Sequence, residues 1–238
     1  MPAEAIDPVL VDWDQIDRVK ASVCLIMHDV RVDSLAPYFV ALGASGIEGL
    51  HDLRHLVQSL PAGLNAVVLA VLHRPSNRVS YLRDILARCS ELPVVIAKEG
   101  DTFRAGTCYI GEPAAHLSLA ERSRIHLIEG AHNQFRNRTV DLLFTSVAAH
   151  AGSRAIGVVL RGALGDGSRG LADIHLAGGL TMVVGEQGQI PAGMPRNATN
   201  YDGPIDFVGT VDEIAEEISR IAGVCSSHVQ EPADSLPA

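Results

Sequence analysis

The stretch from Phe39 to Leu50, FVALGASGIEGL, limits most strongly what this chain can fold into. An apolar run ends in Gly43-Ala44-Ser45-Gly46, and a helix-compatible stretch follows. A strand that turns sharply into a helix exposes the turn serine at the edge of a sheet and directs the free N–H groups of the helix toward it. Ser45 is therefore a candidate nucleophile, and the alternative is that its hydroxyl caps the helix.

The chain beyond this stretch repeats the same alternation. Apolar, strand-like runs lie at 39–42, 67–72, 93–97, 155–160, 180–184 and 205–208, and helix-compatible stretches at 46–59, 78–90, 139–151, 168–177 and 211–222. Short apolar strands that alternate with helices predict an α/β fold, a doubly wound and mostly parallel sheet with helices on both faces. Between Phe103 and Glu129, the short runs Thr107–Ile110 and Arg124–Ile128 predict a small antiparallel excursion.

Length and composition predict one domain with extensions. The chain has 238 residues, of which 47% are hydrophobic, enough for a substantial core. We expect the domain at 39–222 and an N-terminal extension at 1–38, with a short helix at 9–19 and a strand at 23–27. Residues 223–238 are polar and rich in small residues, which predicts a disordered tail.

Charge and cysteine spacing exclude several classes of protein. A net charge of −9 argues against a general nucleic-acid binder, which needs clustered Lys and Arg. No segment has eighteen consecutive apolar residues, and the acidic N-terminus lacks the features of a secretory signal. The widely separated cysteines are typical of reduced thiols in a cytoplasmic protein; they are Cys24, Cys89, Cys108 and Cys225.

Three reactive side chains follow predicted strands. Ser45 follows the first, His73 the second, and Asp166 lies in the RGALGDG loop after the run at 155–160. Ligands of parallel sheets bind beyond the carboxyl ends of the strands, so this set suits acyl transfer by a serine, a histidine base and an orienting aspartate. The alternatives are that His73 is an ordinary surface residue and that Asp166 caps a helix or forms a turn.

Two other motifs suggest different ligands. Gly165–Gly170 matches GxGxxG, and Glu186 lies about twenty residues further on, as in a dinucleotide-binding fingerprint. Asp166 would then lie beside a pyrophosphate, and Ser45 and His73 would have no role. His51 and His55 lie four residues apart on a predicted helix, but no third metal ligand is apparent in the sequence. We therefore predict no metal and no cofactor.

Five stretches occur in the order found in one family: GAS (43–45), SLPAGLNAVVLAVLHRP (59–75), VDLLFTSVAAHAG (140–152), GVVLRGALGDGSRGL (157–171) and AGMP (192–195). The chain resembles the catalytic domain of CheB, the chemotaxis protein-glutamate methylesterases, which also deamidate receptor glutamines. The resemblance covers about 39–222. It implies a doubly wound α/β sheet and a triad of Ser45, His73 and Asp166.

The resemblance further implies a substrate and a site. We expect hydrolysis of glutamate γ-methyl esters, and of glutamine side-chain amides, on the cytoplasmic helices of chemoreceptors. Backbone N–H groups of Gly46, Gly162, Ala163 and Leu164 are the candidates for the oxyanion hole. The family usually has threonine where Gly46 stands and methionine where Ala163 stands, so a diverged, non-catalytic module that binds a receptor or another partner is the alternative.

The resemblance and the positions of three arginines also lead to expectations about how the activity is controlled and how the substrate approaches. The receiver domain that usually precedes this family's catalytic domain is not encoded in the sequence, so we expect an enzyme that is active without phosphorylation, or one controlled by a separate protein or by residues 1–38. Arg74, Arg161 and Arg169 lie in loops at the presumed catalytic edge and are expected to steer an acidic substrate. The alternative is that these arginines cap helix ends or pair with Glu48, Asp84 and Asp173.

Overall fold

The computed structural model describes residues 36–73, 80–120, 124–129, 138–163, 165–186, 188–201 and 203–224. The helix predicted at 9–19, the strand predicted at 23–27 and nearly all of the predicted tail lie outside the described residues. The boundaries of the extension and of the tail therefore remain predictions.

The described residues alternate strands with helices, as the sequence predicts. The strands are β1 (Tyr38–Ser45), β2 (Ala66–His73), β3 (Val94–Ile96), β4 (Thr107–Ile110), β5 (Ala115–Ala120), β6 (Arg124–Glu129), β7 (Ala155–Val159), β8 (Leu180–Val184) and β9 (Phe207–Gly209). The helices are α1 (Gly46–Ser59), α2 (Leu82–Ala87), α3 (Thr139–Ala151), α4 (Ser168–Leu176), α5 (Met194–Thr199) and α6 (Val211–Ala222), with a 3₁₀ turn at Gly152–Arg154. None of the described helices is long and apolar enough to cross a bilayer.

Seven strands form one parallel sheet in the order β3-β4-β2-β1-β7-β8-β9, and β5 and β6 form a separate antiparallel pair. From β1 the chain proceeds to β2 on one side and later returns to β7 on the other. The strand order therefore reverses between β1 and β7. In open parallel sheets, ligands bind in the crevice at such a switch point.

Helices cover both faces of the sheet because the strands are apolar on both. Along β1, Val40, Leu42 and Ala44 belong to the core cluster that contains residues of α1, α2 and α6. Phe39 and Ala41 belong to the cluster that contains residues of α3, α4, α5 and the β5–β6 pair. This two-sided burial explains the nearly continuous apolar strands and confirms the predicted doubly wound fold.

Phe144 of α3 lies where helices α3 and α4 meet the sheet. Its side chain is fully buried. A Cβ on Gly43 of β1 would lie 3.3 Å from the ring, and one on Gly170 of α4 would lie 2.5 Å from Phe144 Cβ. Glycines at these positions thus let α3 and α4 approach the sheet and each other, and the aromatic ring fills the space.

Three details of the sequence prediction differ from the structure. Thr107–Ile110 is not antiparallel: it joins the main sheet as a parallel strand between β2 and β3, and the antiparallel pair is β5 with β6. Within the described part of the predicted helix 78–90, residues 80–90, the structure has α2 alone, and beyond its C-terminal end the Ser90 hydroxyl donates to Leu92 O and accepts from Leu92 N in a turn. Helix α5 was not predicted, because it has only six residues and the proline near its start, Pro195, is also typical of a turn.

Replacing Phe144 by alanine should lower the free energy of unfolding by about 3–5 kcal/mol, because a fully buried ring is removed from between glycines that cannot fill the cavity. Urea unfolding followed by circular dichroism measures this change. Leu176→Ala in α4 is the control, since Leu176 is 83% exposed and its removal should alter stability by no more than about 0.5 kcal/mol. Equal effects of the two variants would contradict the packing described for Phe144.

Candidate functional site

Ser45 stands at the junction of β1 and α1, at the switch point of the sheet. It occupies the N-cap position of α1, yet its side chain makes no capping hydrogen bond. Instead its Oγ accepts a hydrogen bond from the N–H of Ala163, at 3.0 Å, in the loop after β7. The hydroxyl is therefore held at the edge of the sheet rather than engaged with its own helix.

His73 ends β2 directly beside Ser45. The two residues are paired in the parallel register of β1 and β2, so their Cα atoms lie about 4.8 Å apart. Alternation along the strands puts both on the face that carries Phe39, Ala41, Val67 and Leu69, the side of α3 and α4. The imidazole is half-buried. We predict that Ser45 Oγ lies within about 4 Å of a His73 ring nitrogen, as a nucleophile and its general base require.

Asp166 lies on the same face, where it takes part in the reciprocal capping of α3 and α4. Its Oδ2 accepts from Val140 N at 3.0 Å and its Oδ1 from Asp141 N at 2.9 Å, in the first turn of α3. In return, Asp141 Oδ1 accepts from the N–H groups of Gly167 and Gly170, both at 2.9 Å, at the start of α4. Asp166 thus caps the N-terminus of α3, and Asp141 caps the N-terminus of α4. This reciprocal capping fixes the position of Asp166.

The surroundings of Asp166 alter its acidity. The residue is only 8% exposed, and burial raises the pKa of its carboxyl to about 6, from an ordinary value of 3.8. The hydrogen bonds from Val140 and Asp141 oppose this rise in pKa, the charge of Asp141 adds to it, and the charge of His73 opposes it. A positive charge on His73 therefore favours the ionised form of Asp166.

The loop after β7 lies between Ser45 and the start of α5. A Cβ on Gly162 would lie 2.8 Å from Ser45 N and 2.4 Å from Met194 Sδ, so only glycine fits there without displacement. Met194 N donates to Gly162 O at 2.8 Å on the far side. Gly46 begins α1 with a φ of +72°, which favours glycine, while Leu164 lies outside the described residues. Gly46, Gly162 and Ala163 thus all lie at the Ser45 hydroxyl or adjoin it in sequence.

The three arginines predicted at this edge have different surroundings. Arg161 pairs with Asp52 of α1, its Nη1 lying 3.5 Å from Oδ1, and with Glu186 just beyond β8. These carboxylates are not those considered from the sequence. Arg169 is exposed in the first turn of α4. Arg74 lies outside the described residues.

Sequence reasoning missed two carboxylates, Asp52 and Asp141. Asp52 is only 5% exposed although it is charged. The one available signal was its position on the apolar face of α1, together with Leu53 and Leu56. Asp141 lies in the first turn of α3, where acidic residues are common, and nothing in its spacing points to α4.

Residues of both rival motifs have partners within the protein. Asp141 already occupies the N–H groups of Gly167 and Gly170, which a pyrophosphate bound to the glycine-rich loop would need. Glu186 pairs with Arg161. His55 Nε2 lies 2.8 Å from Asp212 Oδ1 of α6. Among the described residues, no group of three or more His, Cys, Asp or Glu side chains could hold a metal ion.

Asp166 should make stability depend on pH in a defined direction. Between about pH 4 and about pH 6 the folded protein keeps a proton that the unfolded chain has released, so Asp166 lowers the free energy of unfolding as the pH rises. Asparagine at this position cannot titrate. Relative to the wild type, Asp166→Asn should therefore gain on the order of 2–3 kcal/mol between about pH 4 and about pH 7, measured by urea unfolding.

Glu99 provides the control of opposite sign. Hydrogen bonds from Leu127 N and then His126 lower the pKa of its carboxyl below the ordinary 4.5. Its stabilisation is present above that value and is lost as the pH falls through the lower, folded-state pKa, so Glu99→Gln should lose stability relative to the wild type as the pH rises. A stability difference for Asp166→Asn that stays constant with pH would show that burial does not penalise the ionised carboxylate.

A solved structure supports the fold and its likeness to a known catalytic domain. The chain is similar to the structure titled as the Thermotoga maritima CheB methylesterase catalytic domain, with a TM-score of 0.70 and 26% sequence identity. The similarity covers 78% of this chain and 98% of that one. The two share the α/β architecture over nearly the whole of the bacterial domain.

Sequence comparison finds relatives with the same name in several bacteria. A protein-glutamate methylesterase/protein-glutamine glutaminase of Pectobacterium atrosepticum is 32% identical over 180 residues, which cover 74% of this chain and 49% of the relative. Relatives from Salmonella typhimurium and Geobacter sulfurreducens are 31% and 32% identical over 77% and 88% of this chain. The chain spans about half the length of these relatives, 53% and 58% for the last two.

A family model gives the same assignment with defined limits. The model described as CheB methylesterase matches residues 40–218, which run from the third residue of β1 through most of α6 and include the strand ends that carry Ser45 and His73. The matched region is well over half of the chain. By its sequence, its sheet and the arrangement of its strand ends, the chain belongs to the CheB methylesterase family.

Proposed function

We propose that the chain is a serine hydrolase that cleaves glutamate γ-methyl esters on a protein, and the corresponding glutamine amides. The observation that carries the proposal is the Ser45 hydroxyl, which leaves its own helix uncapped and accepts from Ala163 N beside His73. A serine that served only to begin the helix would instead be expected to cap α1. The names of the relatives, protein-glutamate methylesterase/protein-glutamine glutaminase, support the substrate class.

In the proposed reaction, Ser45 Oγ attacks the γ-carbonyl carbon while His73 takes the hydroxyl proton. The tetrahedral intermediate collapses, His73 returns the proton to the leaving group, and methanol departs from an ester or ammonia from an amide. Water then attacks the γ-glutamyl ester of Ser45 with His73 again as the base. Glutamate is released and the serine regains its proton.

Asp166 and the backbone donors supply the electrostatic part. An ionised Asp166, held by two N–H groups of α3, stabilises the imidazolium that forms on His73 and orients its ring. The N–H of Ala163 already points at the Ser45 hydroxyl, and the N–H of Gly46 belongs to the residue after the nucleophile. We propose both as donors to the developing oxyanion.

Substrate identity and location belong to the same proposal. The resemblance to CheB points to methylated glutamates on the cytoplasmic helices of chemoreceptors. Cys89 and Cys108 are both free thiols, which suits a cytoplasmic protein. The protein partner is thus an acidic helical segment, and no nucleic acid is involved.

Ser45→Ala and His73→Ala should each lower the rate of methanol release from a γ-methyl-glutamyl peptide by at least about 1,000-fold, since members of a triad act as a unit. Ser45→Ala should also abolish labelling by a fluorophosphonate probe. Methanol release and mass spectrometry of the labelled peptide are the measurements.

Ser59→Ala is the matched control, because Ser59 lies at the other end of α1 and its hydroxyl only bonds the C=O of His55. This variant should react as fast as the wild type. Wild-type protein that binds the peptide but neither hydrolyses it nor takes the label would instead indicate the alternative, a non-catalytic binding module of this fold.

Arg169→Glu should lower kcat/KM for an acidic peptide ester several-fold at low salt, and the deficit should shrink as ionic strength rises. We assign steering to Arg169, because Asp52 and Glu186 already compensate the charge of Arg161. Initial rates at several salt concentrations test this. Arg220→Glu makes the same change of net charge at the far end of α6, and should have little effect. A deficit of Arg169→Glu that is equal at all salt concentrations would contradict steering.

A further inference from the structure

Asp52 is a buried carboxylate that the proposed reaction leaves without a role. It lies seven residues after Ser45, two turns along α1, and is only 5% exposed. Its Oδ2 accepts from the backbone N–H of Arg161 at 3.1 Å, and its Oδ1 lies 3.5 Å from the guanidinium of the same residue. A buried charge is costly unless it is paired, so Arg161 is what allows Asp52 to stand there.

The backbone of Arg161 is held from two directions. Its N–H donates to Asp52, and its C=O accepts from Ser45 N at 3.1 Å. Gly49 of α1 permits this approach, because a Cβ on it would lie 2.3 Å from Arg161 O. Asp52 and the nucleophile thus hold opposite ends of one residue, at the point where the loop after β7 begins.

Two residues later the same loop presents its donor to the nucleophile. Ala163 N donates to Ser45 Oγ at 3.0 Å. Between them, Gly162 is held from the opposite side by Met194 N, at 2.8 Å. The loop is therefore fixed to α1 through Arg161 and to α5 through Gly162. The loss of one attachment leaves the other, so it should displace the donor without unfolding the loop.

We infer that Asp52 is a positioning residue, which holds the Arg161–Ala163 loop so that the Ala163 N–H stays directed at the reacting centre. The inference rests on the proposed function, because it concerns the oxyanion of that reaction. Asp52 does not touch the substrate and acts through the backbone of Arg161.

The surroundings of Arg161 explain why Asp52 is needed. The guanidinium also pairs with Glu186, whose side chain is exposed, and both residues line an open cavity of about 650 Å³ between α1 and α6. Without Asp52 the guanidinium keeps Glu186 as its partner, but the Arg161 N–H loses its acceptor. The Arg161 C=O would still accept from Ser45 N, so the loop would pivot about that bond toward the cavity and turn the Ala163 N–H away from the Ser45 hydroxyl.

This role predicts a defined kinetic signature. A displaced oxyanion donor weakens binding of the transition state and leaves the ground state almost unchanged, so kcat falls while KM stays constant. Complete loss of one such donor costs about 100- to 1,000-fold in kcat. Since the Ala163 N–H would be displaced rather than removed, Asp52→Ala should lower kcat about 10- to 100-fold.

The test compares three variants of the full chain on the γ-methyl-glutamyl peptide. Asp52→Ala removes both contacts with Arg161. Asp52→Asn keeps the volume and one acceptor oxygen for the Arg161 N–H but presents an NH₂ group to the guanidinium, so its kcat should lie between those of the wild type and Asp52→Ala. Asp212→Ala is the matched control, because Asp212 lines the same cavity and pairs with His55 of α1. Its kcat should equal that of the wild type.

Two further readouts separate positioning from a general structural effect. The Ki of a trifluoromethyl ketone analogue, which forms a tetrahedral adduct with serine, should rise in parallel with the fall of kcat. Hydrogen exchange of the Ala163 amide should accelerate in Asp52→Ala while the amides of β1 and β2 keep their protection. The exchange measurement needs no activity, so it tests the loop even if the wild type fails to hydrolyse the peptide, an outcome that would overturn the proposed function instead.

The inference is overturned by wild-type kcat in the Asp52 variants, by a rise of KM at constant kcat, or by faster exchange spread evenly over the sheet. Should Asp52→Ala fail to fold, Asp52→Asn decides alone: a several-fold lower kcat at constant KM supports the role, and wild-type kcat contradicts it.

Discussion

The site depends on the reciprocal capping of α3 and α4 by two carboxylates. Asp166 caps the N-terminus of α3, and Asp141 caps the N-terminus of α4. This reciprocal capping fixes the two helices relative to each other, because the N-terminal region of each helix carries the carboxylate that accepts from the free N–H groups of the other. The packing of Phe144 against Gly170 stands next to it and keeps the two helices close. The burial of Asp166 and the position of its carboxylate thus have the same cause.

Ser45, the proposed nucleophile, is positioned by a second set of contacts on the other side of β1. Ser45, Arg161 and Gly162 meet where the strand order reverses, and the small size of Gly49 and Gly162 sets their separation. The two sets join at Ser45. On one side lie His73 and the helices that hold Asp166, and on the other lies the loop that carries the Ala163 donor. The switch point of the sheet brings them together because β7 returns beside β1.

Much of the fold could be predicted because the strands carry a strong signal. Buried parallel strands are apolar throughout, so the runs that became β1, β2, β7 and β8 stand out, and the predicted spans of α1, α3 and α6 coincide with the observed ones. The pairing of β4 could not be predicted in this way. A four-residue apolar run reads alike in a parallel and an antiparallel pair, and its position between β2 and β3 depends on contacts distant in sequence.

The same limit applies to the candidate site. The strand ends that carry Ser45 and His73 were visible because a reactive side chain directly follows an apolar run. The roles of Asp52 and Asp141 could not be predicted, because the sequence around a carboxylate in a helix does not indicate which distant residue it contacts. Their partners are 109 residues away for Asp52 and 26 and 29 residues away for Asp141. Only the packing of α1 on the loop after β7, and of α3 on α4, reveals what they bind.

The distance along the chain between Ser45 and its donor has a consequence for biosynthesis. Ala163 lies 118 residues after Ser45, and β7 must dock beside β1 before the two can meet. Within the part of the chain that the structure describes, β1 pairs with β2 on one edge and with β7 on the other, so the second edge lacks its partner strand until β7 has been synthesised. Pairing over such a separation is slow, because the entropy of closing a long loop is lost before any contact compensates for it. An unpaired β1 edge is open to association with other strands in the meantime. Ser45, the proposed nucleophile, therefore acquires its surroundings late, and reactivity at Ser45 would report the completed sheet rather than an early folding unit.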